Sequence, residues 1–224
     1  MAPAHHRSGP ILTLIFGTAA ALFVLLAVLV SDPAATLPTC DRWVSDAALS
    51  FAQAHPAWVT TMKGVTVTGG IGLLGPTVTV LGLLLFVWGR RGDALFVWGA
   101  MLFTVLARNV VVELIGRARP DERLIQISSS SFPSGHTTAS AFVAALLIMI
   151  GRPLLQRRWS RALLIVLAVG WALAVGTSRV ALVVHWPTDV LGGWLFVVLC
   201  MSAASLVRQQ LERRTSPAIV KNEG

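Results

Sequence analysis

Long apolar stretches alternate with short basic clusters along this chain, on a period set by the thickness of a bilayer rather than by the face of a helix. Crossing about 30 Å of hydrocarbon takes about 20 apolar residues in helical form. Six stretches meet that need, at 11–30, 59–88, 94–115, 136–155, 162–184 and 188–207. The fourth is the least regular, because Gly151, Arg152 and Pro153 interrupt it. A short central helix of that kind needs shielding by its neighbours. The first stretch is longer than the apolar core of a secretory signal peptide, about 7–15 residues, and reads as a span. Gly64, Gly69, Gly70, Gly72, Gly75, Pro76 and Gly82 predict close packing or a kink in the second. From Asp41 to Ala54 the pattern turns amphipathic, predicting a helix that lies on the outer surface.

Composition agrees with a membrane protein. Hydrophobic residues make up 55% and charged residues 12%, about half the charge of a soluble globular chain. That balance excludes a disordered chain, and two cysteines exclude a disulfide scaffold. Cys40 and Cys200 fall on opposite sides of the membrane and are not expected to pair.

Charge then sets the orientation. Eighteen basic residues oppose ten acidic ones, a net +8. Spread over a soluble surface, this excess would suggest nucleic acid; confined between spans, it reads as loop charge. With the N-terminus inside, eleven arginines and lysines fall in cytoplasmic segments. Only Arg42, Arg117, Arg119 and Arg123 fall outside. The reading is an all-α integral membrane protein with six transmembrane helices and both termini cytoplasmic. Residues 1–10 form the cytoplasmic N-terminus, 11–214 the membrane domain and 215–224 a disordered tail. Trp58, Trp88, Trp98, Trp159, Trp186 and Trp194 fall near expected helix ends, as an aromatic belt would.

Three outer segments carry chemistry. Arg117, Arg119 and Arg123 crowd one loop, either as a solvated cluster with Asp121 and Glu122 or as an anion site. Pro133-Ser134-Gly135-His136 opens the fourth span, where free backbone N–H groups of a helix start can cradle phosphate. Ser178-Arg179 precedes His185 and Asp189, and Pro187 suits the first turn of the sixth helix. Four residues apart, His185 and Asp189 can meet across that turn, the carboxylate fixing the tautomer of a nucleophilic imidazole. Each segment alone reads equally as an ordinary cap or turn. Together, on one face, two histidines, a carboxylate and several arginines form a constellation for phosphoryl transfer, with the active site at the outer face.

These motifs resemble those of the type 2 phosphatidic acid phosphatase superfamily, which carries Lys-x6-Arg-Pro, Pro-Ser-Gly-His and Ser-Arg-x5-His-x3-Asp. The second and third are complete here. Of the first, Arg119-Pro120 matches, but Val112 stands at the lysine position. Arg108, Lys63 and Arg117 are the candidate substitutes. Arg108 is favoured, since an arginine inside a span needs a partner; a pairing with Glu113 or packing on Asn109 would be its structural alternative, and Glu113 could instead neutralise Arg117.

The resemblance implies a mechanism. His185 attacks phosphorus, oriented by Asp189; His136 protonates the leaving oxygen and then activates water. Arg119, Arg179, Ser134 and Gly135 hold the phosphate oxygens. No metal or other cofactor is expected, because the arginines would repel a cation from a His136–His185–Asp189 site. The expected function is a lipid phosphatase of a bacterial-type plasma membrane, acting on a lipid phosphate partner in the bilayer. A polyprenyl diphosphate is the favoured substrate, with phosphatidate and phosphatidylglycerol phosphate as alternatives. A lipid phosphotransferase, a non-catalytic lipid-phosphate-binding protein and a channel or transporter are the competing classes.

Overall fold

The computed structural model describes residues 8–32 and 36–215. Among them, helices α1 (Ser8–Ser31), α2 (Thr36–Ala54), α3 (Pro56–Thr68), α4 (Ile71–Val87), α5 (Arg91–Ile115), α6 (Gly135–Leu146), α7 (Arg158–Ala181) and α8 (Pro187–Thr215) follow in order, without a strand. Six helical stretches are long and apolar enough to cross a membrane: Gly9–Ser31, Pro56–Val87, Arg91–Ile115, Gly135–Leu154, Arg158–Ala181 and Pro187–Arg214. They coincide with the six apolar stretches of the sequence. At the two ends, α1 begins at Ser8 and Thr215, the first residue of the expected tail at 215–224, closes α8; residues 1–7 of the expected N-terminal segment and 216–224 of that tail lie outside the described residues.

The second stretch is two helices rather than one. Gly69 and Gly70 separate α3 from α4, and the break lies directly on α7. A Cβ on Gly69 would stand 2.3 Å from Val175 Cγ1, so only glycine permits this approach. The fourth stretch is short, as its interruption predicts. After Leu146 the α-helix loosens into a π-helical turn over Leu147–Gly151 and a 3-10 turn over Arg152–Leu154, because Pro153 brings no backbone N–H to continue it. Packing against α4, α7 and α8 shields α6 on several sides. Phe142 and Leu146 join Leu85, Val97 and Val197 in the largest apolar cluster.

Helix ends sort the bundle into two poles. At one, the start of α1 lies beside the end of α8, with a Cβ on Gly9 falling 3.3 Å from Arg213 Nη2. Asp93 there pairs with Arg90 at 2.8 Å and with Arg208 at 2.9 Å. The other pole gathers α2, the ends of α5 and α7, and the starts of α6 and α8. Helix α2 begins before the expected Asp41 and packs on α7 and α8, burying Asp41 and Ser45 while Trp43 is 74% exposed. Two tryptophans depart from the aromatic belt: Trp98 lies within α5 against Gly82, and Trp194 lies within α8 against Gly176. Cys40 and Cys200 are both free.

Candidate active site

Helix α7 stops at Ala181, three residues short of the expected end. Val183 takes φ 56°, a left-handed conformation that a β-branched side chain rarely adopts. The chain thereby doubles back, and the Val184 and His185 N–H groups donate to the Arg179 carbonyl at 3.1 and 3.3 Å. This reversal buries His185 to 2% exposure in the turn between α7 and α8. The loop after α5 is stitched to the same turn. Leu124 N–H donates to Leu182 O at 3.1 Å, and Trp186 Nε1 donates to Ala118 O at 2.9 Å.

His185 and Asp189 meet as their spacing predicts, Nδ1 lying 3.3 Å from Asp189 Oδ2. On the opposite edge of the ring, Arg119 Nη1 stands 2.8 Å from Nε2. A guanidinium only donates, so these contacts assign the proton to Nδ1 and a lone pair to Nε2. Burial pushes the imidazole down to about 4, against the hydrogen bond and charge of Asp189. The ring is therefore neutral at ordinary pH, the form a nucleophile requires. Burial also lowers Arg119, partly offset by Asp189. Arg119 is further fixed by Val184 O and Ser129 O, each at 2.7 Å.

The Pro133-Ser134-Gly135-His136 turn docks onto the same pair. Ser134 N–H donates to the Asp189 backbone carbonyl at 3.0 Å, joining the starts of α6 and α8. Ser134 is buried, and its Oγ accepts from Thr137 Oγ1 at 3.0 Å. His136 is half-buried and makes no side-chain hydrogen bond with the described residues. The charges of Arg179, Arg119 and Arg108, and His185 itself, all reach it.

Arg179 is 2% exposed and donates from Nη1 to Thr66 Oγ1 at 2.7 Å. Its Nε and Nη2 have no hydrogen-bond partner among the described residues. Buried guanidinium donors are normally paired, so these two nitrogens leave Arg179 with donors available to an anion.

The three candidates for the missing lysine separate clearly. Arg108 reaches the phosphate-motif turn, donating to Pro133 O from Nη2 at 2.9 Å and from Nε at 3.2 Å. A Cβ on Gly135 would lie 3.0 Å from Arg108 Nη2, so this guanidinium borders the expected cradle. Neither Glu113 nor Asn109 is its partner. Lys63 is exposed on α3 and bonds none of the site residues. Arg117 holds two carboxylates instead, Asp189 Oδ1 and Asp41 Oδ2, each at 2.6 Å. It is committed to them and not to Glu113. Among the described ion pairs, none joins Arg117, Arg119 or Arg123 to Asp121 or Glu122.

Asp41, Thr66 and Thr188 are the site neighbours that sequence reasoning missed. Thr188 N–H donates to Asp41 Oδ1 at 3.0 Å, and the Thr188 hydroxyl donates to Asp41 Oδ2. Only the buried polar position in an amphipathic segment could have signalled Asp41. Below Arg108 and Gly135, an apolar groove of about 170 Å³ runs between α4, α5 and α6, past Leu74, Val78, Met101 and Phe142.

Known proteins resemble this chain in sequence and in fold. A family model described as PAP2 superfamily matches residues 93–214. The chain is 33% identical over 177 residues to phosphatidylglycerophosphatase B of Bacillus subtilis (strain 168), covering 77% of this chain and 84% of that protein. It is 34% identical over 138 residues to the Escherichia coli (strain K12) protein named "Putative undecaprenyl-diphosphatase YbjG", covering 56% and 64% respectively. The crystal structure of a transmembrane PAP2 type phosphatidylglycerolphosphate phosphatase from Bacillus subtilis matches with a TM-score of 0.73 at 28% identity, over 95% of this chain and all of that one. With six candidate spans and a family match over the segment that carries every motif, the chain belongs to the PAP2 superfamily, a family of lipid phosphatases, and is a multi-pass membrane protein of that fold.

Proposed function

We propose that this protein hydrolyses a lipid phosphate at the outer leaflet of a bacterial-type plasma membrane, through a phosphohistidine on His185 and without a metal ion. The observation that carries the reading is the state of His185: Nδ1 turned to Asp189, with the Nε2 lone pair directed at a phosphate-binding arginine.

In the first step Nε2 attacks phosphorus, and the P–O bond to the lipid breaks. His136 gives its proton to the departing oxygen, while Asp189 steadies the charge that gathers on the His185 ring. Arg119, the two free donors of Arg179 and the Gly135 amide hold the phosphoryl oxygens, with Ser134 beside them. Arg108 supplies the positive charge that Val112 cannot. In the second step His136 takes a proton from water, whose oxygen attacks phosphorus. The P–N bond breaks, inorganic phosphate leaves, and Nε2 regains its lone pair.

The orientation rests on charge. The pole opposite the site holds Arg90, Arg91, Arg208, Arg213 and Arg214, and a basic excess favours the cytoplasm. The groove below Arg108 accounts for a lipid substrate, since a hydrocarbon chain can lie in it while the headgroup reaches the arginines. Phosphatidylglycerol phosphate is the substrate to try first, because both broad matches are to phosphatases named for it. A polyprenyl diphosphate is the second reading, favoured by the match to a protein named for an undecaprenyl diphosphatase.

Phosphate release in detergent with EDTA present tests the proposal, with phosphatidylglycerol phosphate, a polyprenyl diphosphate and phosphatidate as substrates. Release by wild type and none by His185→Ala is expected. Silence from wild type on all three, or release that needs added metal, overturns it. Release that appears only when an acceptor lipid is added assigns a phosphotransferase instead.

A further inference from the structure

We propose that Asp41 and Arg117 form an outer relay that positions Asp189 and, through it, His185, so that α2 is part of the catalytic apparatus. This rests on His185 being the nucleophile. The relay is a buried chain of charges. Arg117 is 9% exposed, Asp41 2% and Asp189 0%. One guanidinium serves both carboxylates, giving Nη2 to Asp41 and Nη1 to Asp189 at 2.6 Å each. Nη1 also donates to Thr188 Oγ1 at 2.7 Å, and the guanidinium stacks over Trp186 with its carbon 5.7 Å from the ring centre. Both residues lie between His185 and Asp189 in the chain.

The geometry explains what the relay does. Asp189 Oδ2 accepts from Trp186 N–H at 2.9 Å and faces His185 Nδ1 at the longer 3.3 Å. A carboxylate held only there could turn away from the ring. Arg117 on Oδ1 stops that rotation. Arg117 would in turn swing freely if it met one carboxylate, and Asp41 provides the second. Asp41 also accepts from the Thr188 backbone and hydroxyl, so it grips the first turn of α8, where a negative charge is favourable. Two buried carboxylates with one cation between them leave a net negative charge beside His185, which offsets the positive charges of Arg119 and Arg179 on its other sides. A contact that merely docked α2 would not need to run through the catalytic carboxylate.

Steady-state kinetics of Asp41→Asn, Arg117→Gln and their double variant test the relay. Asn keeps the size of the side chain and an oxygen for Thr188 N–H. We expect kcat to fall about tenfold in Asp41→Asn with KM within about twofold, and further in Arg117→Gln. The double variant should match Arg117→Gln alone, since Asp41 acts through that residue. Wild-type kcat in Asp41→Asn, a double loss equal to the product of the single losses, or a lowered melting temperature with unchanged kcat overturns the proposal. Arg117→Lys provides a second route should Asp41→Asn fail to fold: it keeps the charge but cannot fork, so its kcat should fall as well, and full activity would sink the relay. The [15N]histidine spectrum reads the relay without turnover, with the His185 signal identified by its loss in His185→Ala. We expect the Nδ1–H tautomer in wild type and a mixture in Asp41→Asn. An unmoved signal overturns the relay even if wild type hydrolyses nothing, an outcome that by itself would bear only on the proposed hydrolase.

Discussion

Arg119 and His185 face each other across 2.8 Å, guanidinium N–H against imidazole Nε2. The same arginine that would bind phosphate thus holds the lone pair that would attack it. In the proposed reaction a phosphoryl group would come between them, taking the Arg119 donor onto one of its oxygens and releasing Nε2 toward phosphorus. Binding and activation of the nucleophile are then one event. Arg119→Leu should lower kcat/KM by about 10²–10³-fold, the scale for a lost transition-state donor. Arg119→Lys should recover only part of it. Steady-state phosphate release measures both, and a small loss in Arg119→Leu would mean that the contact plays no part in the reaction.

Asp189→Asn keeps the shape of the side chain and removes its charge. Turnover should drop by about 100-fold or more, with His185 free to adopt the wrong tautomer. Circular dichroism should show the helices intact. Undiminished turnover would take Asp189 out of the mechanism.

The pH response of His185 has a definite sign. Burial sets its imidazole at about 4, below the ordinary value of about 6.5. The folded protein therefore prefers the neutral ring. That preference stabilises the fold fully above about 6.5, weakens as pH falls toward 4 and is gone below it. At pH 5.5, where an ordinary histidine is mostly charged, [15N]histidine spectra should find His185 neutral. A midpoint at 6 or above would contradict the buried, Arg119-facing geometry.

Arg108 is the expected stand-in for the lysine that Val112 replaces. Arg108→Leu should raise KM or lower kcat by about tenfold or more, and Arg108→Lys should restore much of the loss. Unaltered kinetics in Arg108→Leu would show that its hydrogen bond to Pro133 serves only the turn.

Filling the groove tests where the hydrocarbon chain lies. Gly75 lines the groove and nothing stands within 4 Å of a Cβ placed on it, so Gly75→Leu adds apolar bulk there. KM should rise about tenfold for a long-chain lipid phosphate and stay near wild type for a short-chain one. Equal effects on both would place the chain elsewhere.

Much of this molecule is legible in its sequence. Spans are set by length and hydropathy, so all six can be read, and the histidine motifs are local patterns that α6 and α8 simply display. What escapes are relationships between distant segments. Arg117 looks like a phosphate ligand or a partner of Glu113, Asp121 or Glu122 because those are its neighbours in sequence, whereas Asp41 and Asp189 hold its charge in space. Thr66 becomes visible only once the break at Gly69 and Gly70 sets α3 against α7. Apolar continuity hides the end of α7: Leu182, Val183 and Val184 suit a helix by composition, yet Val183 turns the chain back.

Two nitrogens of Arg179 have no hydrogen-bond partner among the described residues, and this bears on how the folded protein responds to its surroundings. Removing a guanidinium from water without giving it partners weakens the native state. An anion that supplies those partners binds the folded chain and not the unfolded one, and so stabilises the fold by an amount that grows with the logarithm of its concentration above the dissociation constant. Phosphate, as the product of the proposed reaction, would be such an anion. The melting temperature of this protein therefore doubles as a gauge of site occupancy, rising with phosphate in wild type and staying flat in a variant that lacks Arg179.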